Sequence, residues 1–97
     1  MISAELSARL AKRYLWWMEA PKTAAETDRL IVQVMDIGDF DDATELLDCA
    51  GDERFRKALH NSLPGQLRPK SWAYWHYRLR MIEVDEAPPK LPVRAFR

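Results

Sequence analysis

Residues 23–51, TAAETDRLIVQVMDIGDFDDATELLDCAG, decide the fold of this chain. They open with Thr23-Ala24-Ala25-Glu26, a capping box in which a Thr hydroxyl and a Glu carboxylate satisfy each other's free backbone N–H groups. Thr27, Leu30, Ile31, Val34 and Met35 then recur at helical spacing and form one apolar face. Gly38 is expected to end this helix in the left-handed region, which glycine tolerates best. Asp39 is placed to cap the next helix, whose buried face reads Phe40, Ala43, Leu46, Leu47 and Ala50. Gly51 closes it. Two helices joined by a Gly-Asp step must turn sharply on one another.

The same period extends outward in both directions. Upstream, Leu6, Leu10, Tyr14 and Trp17 mark a helix over residues 3–18, capped by Ser3 and stopped by Pro21. Trp16 points about 100° away from Trp17, so one of the two must be partly exposed. Downstream, Asp52 is expected to cap a short helix that buries Phe55, Ala58 and Leu59, and Leu63-Pro64-Gly65 turns the chain. Pro69 suits a first helical position and starts a fifth helix running to Ile82. Residues 83–97 carry three of the six prolines and are expected to be extended. No stretch alternates strictly in the manner of a strand. The expected architecture is all-α: a compact bundle of five short helices over residues 1–82, followed by an extended proline-rich tail over residues 83–97.

Ninety-seven residues make one domain. The net charge is zero but unevenly spread, with five Lys/Arg against ten Asp/Glu in residues 1–50 and the reverse in residues 51–97. Such a dipole either presents two faces of opposite sign or is neutralised when the halves pack. A balanced total argues against a dedicated DNA binder. One cysteine, Cys49, cannot form an internal disulfide, and no apolar run reaches the roughly 20 residues of a membrane span. With no signal-peptide core at the N-terminus, a cytoplasmic location is expected.

Catalytic chemistry finds little footing. Asp36, Asp39, Asp41 and Asp42 lack the spacing and central glycine of an EF-hand loop, and first-turn acids account for them. His60 and His76 are isolated, and Cys49 has no neighbouring base in sequence. No glycine-rich phosphate loop is present. The chain is expected to be no enzyme, with no cofactor and no metal.

The fifth helix is the informative one. Trp72, Trp75, Leu79 and Ile82 form its core face, with His76 at the edge. Across from them lie Lys70, Tyr74, Tyr77 and Met81, flanked by Arg78 and Arg80. Tyr, Met and Arg together are the composition of a protein interface. In the tail, Pro89, Leu91, Arg94 and Phe96 offer a pre-ordered backbone with side chains to bury against a partner. The competing expectations are that the basic residues and tyrosines contact phosphates and stack on bases, or that the tail folds back over these tyrosines and completes the core.

Several segments carry a resemblance: Leu15-Trp16-Trp17; Asp28-Arg29-Leu30-Ile31; Val34-Met35-Asp36-Ile37-Gly38-Asp39-Phe40-Asp41-Asp42; Gly51-Asp52-Glu53; and Leu67-Arg68-Pro69-Lys70-Ser71-Trp72-Ala73-Tyr74-Trp75-His76. Over residues 14–82, with a Pro-Pro-x-Leu-Pro-x-Arg ending at 88–94, the chain resembles small uncharacterised prokaryotic proteins encoded beside nucleotidyltransferase toxins of the AbiEii type. The alanine-rich start of the second helix departs from that pattern. The resemblance implies a prokaryotic antitoxin within a toxin–antitoxin system, acting by direct protein–protein interaction, and brings no catalytic residues with it. The alternatives are a nucleic-acid-binding regulator of its own operator, which the acidic third helix opposes, and a homo-oligomeric scaffold such as a homodimer.

Overall fold

The computed structural model describes residues 2–92, and the expected contributions of Arg94 and Phe96 lie outside them. Five helices make a compact all-helical globule: α1 (Ala4–Tyr14), α2 (Ala24–Ile37), α3 (Phe40–Ala50), α4 (Asp52–His60) and α5 (Pro69–Arg78). Among the described residues there is no strand, and no helix is long and apolar enough to cross a membrane.

The most apolar face places α2 at the centre, where it touches each of the other four helices. Leu30, Ile31, Val32, Val34 and Met35 are all buried there. Leu10 from α1, Leu46 from α3, Phe55 and Leu59 from α4 and Leu79 just past α5 fill the space around them. The capping box forms as its residues dictate. Thr23 Oγ1 accepts from the Glu26 N–H at 3.1 Å, and Glu26 Oε2 accepts from the Thr23 N–H at 3.0 Å. The backbone N–H of Lys22, then that of Thr23, both donating to its Oε2, hold the Glu26 carboxyl below its ordinary pKa.

Several boundaries differ from the expectation. Helix α1 stops at Tyr14 rather than Met18, because Leu15 leaves helical geometry and turns its side chain into the core. Trp17 therefore drops out of the α1 stripe, and both tryptophans face solvent as an edge-to-face pair with centroids 5.5 Å apart. Gly38 has φ −67° rather than a positive value. Its requirement is space: a Cβ there would lie 2.4 Å from the Val34 carbonyl oxygen. Gly51, at φ 90°, does need the left-handed side of the map, as Gly65 does at φ 85° in the turn before α5, and Gly51 precedes α4 directly. It caps α4 without any side-chain bond, and Asp52 is already the first helical residue rather than the cap. Phe40, expected in the core, is 67% exposed.

Helix α5 ends at Arg78 rather than Ile82. Arg80 sits at φ 57°, and the Met81 N–H reaches back to the His76 carbonyl at 3.0 Å, closing the helix as a Schellman motif does. An arginine in that conformation is strained by roughly 1 kcal/mol relative to glycine. Arg80→Gly is accordingly expected to raise stability by about 1 kcal/mol, read as a higher urea midpoint at unchanged slope.

The charge asymmetry is only partly neutralised on folding. Arg54 pairs with Asp28, and Arg68 pairs with Asp36 at 3.2 Å, joining the two halves. The acidic turn is instead tied down from α1. Buried Asp42 accepts from the Tyr14 hydroxyl at 2.6 Å and from Arg13 at 2.8 Å, and Arg9 lies 3.5 Å away. Burial, then the bond to Asp42, pushes the Tyr14 phenol up. Asp42→Ala would leave that buried hydroxyl proton without its acceptor and remove one of two carboxylates from each arginine, leaving Glu45 to Arg9 and Asp39 to Arg13. The expected cost is about 2–3 kcal/mol, measured by chemical denaturation.

Candidate functional site

The α2–α3 turn and the outer face of α5 enclose a groove of about 510 Å³. Its positions follow from local structure. Phe40 is the first residue of α3, immediately after the Asp39 cap, and is thrown outward by the tight turn at Gly38. Pro69 starts α5, so Lys70, Ser71, Tyr74, Trp75 and Arg78 follow along one side of that helix and reach the groove. Met35 and Ala43 complete an apolar floor. Trp75 is locked beneath: its Nε1 donates to the Met35 carbonyl at 2.8 Å, and its ring packs on Phe55 at 5.4 Å.

Arg78 organises the site electrostatically. Its guanidinium carbon lies 5.5 Å from the Phe40 centroid, 5.9 Å from that of Tyr74 and 5.1 Å from that of Trp75. One of its N–H groups donates to the Tyr74 hydroxyl at 3.0 Å. The charge is held by ring faces.

The expected partner face divides into two parts. Lys70, Tyr74 and Arg78 come together in the groove with Phe40, which the sequence reading had assigned to the core. Tyr77, Arg80 and Met81 do not join them. Tyr77 donates its hydroxyl to the Glu86 carbonyl, Met81 packs half-buried against the core, and Arg80 is carried past the end of α5. The chain turns at residues 83–86 and comes back along α5, where Trp72 Nε1 donates to the Pro89 carbonyl at 2.6 Å. Leu91 is half-buried against the core. Residues 83–91 thus run back past Trp72 and the Tyr77 hydroxyl, while Tyr74 and Tyr77 remain 47% and 37% exposed.

No protein-family model, no curated protein and no solved structure matches the chain. The chemistry of the surface itself must therefore carry the functional reading.

The remaining candidates have structural occupations. Asp39 caps α3 at 2.8 Å from the Asp42 N–H and pairs with Arg13, and Asp36 holds Arg68. Buried His76 bonds through Nδ1 to the Trp72 carbonyl at 2.7 Å, which assigns the proton to that nitrogen. Among the described residues no three His, Cys, Asp or Glu side chains gather as a metal site needs. The signal that would have found Phe40 is its position: the first residue of a helix just after a short turn has little behind it to pack on.

Proposed function

We propose that this chain is a non-enzymatic binding protein that neutralises a nucleotidyltransferase-type toxin by direct contact, with the α5 groove as its seat. One observation carries the reading: Phe40 and Tyr74 stand open to solvent around an arginine that no carboxylate among the described residues engages. Exposed aromatics clustered with an arginine are the composition of interaction hot spots. The resemblance to proteins encoded beside such toxins names the partner class. Under this reading the groove and the returning tail cover the toxin's active-site cleft or an acidic patch beside it.

Operator binding is the weaker reading. A helix entering the major groove through the α2–α3–α4 turns would present α3, whose exposed face carries Asp41, Glu45 and Asp48. Phosphates repel that face.

Co-expression of the chain with an AbiEii-type nucleotidyltransferase, followed by purification through a tag on one of them, tests the proposal. Co-elution at low salt is expected. A tagged toxin that elutes alone at micromolar protein ends it.

A further inference from the structure

Resting on the reading of the groove as a partner seat, we infer that its occupant is a short acidic peptide segment. One carboxylate sits on Arg78 and Lys70, and a neighbouring apolar side chain lies against Phe40, Tyr74 and Met35. Three arginines among the described residues are half-buried. Arg54 pairs with Asp28, and Arg56 pairs with Asp52 and Glu53. The third, Arg78, has three rings and a phenol but no anion among the described residues. Ring faces stabilise a guanidinium without accepting its N–H bonds, and of five donors only one is engaged, by Tyr74. The free edge matches the bidentate geometry of a carboxylate. Lys70, exposed on the same wall and likewise without a carboxylate among the described residues, adds a second positive charge.

The chain beside the groove sets the limit on charge. Asp39 and Asp41 flank Phe40, are exposed and lie outside the groove lining, and Asp39 already pairs with Arg13. A polyphosphate strand running on past Phe40 would approach these acids, whereas a segment with one carboxylate needs only Arg78 and Lys70. The apolar floor then selects Leu, Met, Phe or Trp beside the acid. The groove volume lies within the range of about 300–1,000 Å³ found for ligand pockets.

Random heptapeptides displayed on phage are selected on the full chain and counter-selected on Arg78→Gln. The expected winners place Asp or Glu next to a large apolar residue. As a synthetic peptide, the best of them should bind the wild-type chain at least about ten-fold more tightly than its Asn or Gln isostere. The same loss is expected for Arg78→Gln and for Phe40→Ala, an exposed position whose variant should melt like wild type. Four results each overturn the inference. They are no enrichment, binding indifferent to the carboxylate, displacement by oligothymidylate, and self-association that Arg78→Gln abolishes, which would give the groove to a second copy. A toxin that fails to co-purify while the peptides still bind overturns only the functional reading; a toxin complex without peptide enrichment overturns only this one.

Discussion

Phe55→Ala is expected to lower the unfolding free energy by about 4 kcal/mol and the thermal midpoint by on the order of 20 °C. Phe55 is wholly buried where α4 meets α2, and its ring supports Trp75 at 5.4 Å. Truncation removes apolar contact area and leaves a cavity that short, tightly turned helices cannot close by shifting. A domain of this size holds about 5–15 kcal/mol in total, so the variant sits near the edge of folding at physiological temperature. Because Trp75 forms part of the groove wall, loss of its support should also blur the site. Circular dichroism melts with near-ultraviolet detection follow both effects. A midpoint within a few degrees of wild type would mean that Phe55 is not the keystone that its burial indicates.

Arg78→Glu is expected to weaken the proposed toxin complex about hundred-fold, which corresponds to about 2.7 kcal/mol. The substitution removes the cation between the rings and puts a negative charge where the partner's carboxylate would sit. Its cost to folding is smaller. A partly exposed cation–π contact contributes about 0.5–1 kcal/mol, and a glutamate in the last turn of a helix opposes the dipole by about 0.3–1 kcal/mol. Binding should therefore fall further than stability. Isothermal titration beside a denaturant curve separates the two, and Phe40→Ala supplies the matching change without a charge reversal. Equal losses in binding and stability would show that Arg78 only holds α5 in place.

The five helices were legible because periodicity marks each of them, and in α1, α2 and α3 the capping residues agree with it. Thr23 with Glu26, and Asp39 ahead of its helix, are local signals that the tertiary structure had no reason to override. Boundaries failed where packing outweighed propensity. Leu15 left α1 because its side chain was worth more in the core than another helical turn was in water, and this freed the two tryptophans after it. Arg80 ended α5 in a conformation that no sequence rule assigns to arginine. Within the site, Lys70, Tyr74 and Arg78 follow directly from the helical wheel of α5. Phe40 could not be read the same way, because its exposure depends on where α5 lands relative to the α2–α3 turn. Tyr77 and Met81 share the open face by periodicity, but the early end of α5 brings Met81 against the core, and the turn at residues 83–86 brings the Glu86 carbonyl to the hydroxyl of the still exposed Tyr77.

The central claim is about location: the partner sits in the groove between Phe40 and α5. Amide chemical-shift mapping of the isotope-labelled chain, titrated with an AbiEii-type nucleotidyltransferase as the proposed partner, measures this directly. The account predicts that the largest changes fall on Phe40, Ser71, Tyr74 and Arg78, with the Trp16–Trp17 pair unmoved. Changes centred on Trp16 and Trp17, with the groove silent at saturation, would contradict it.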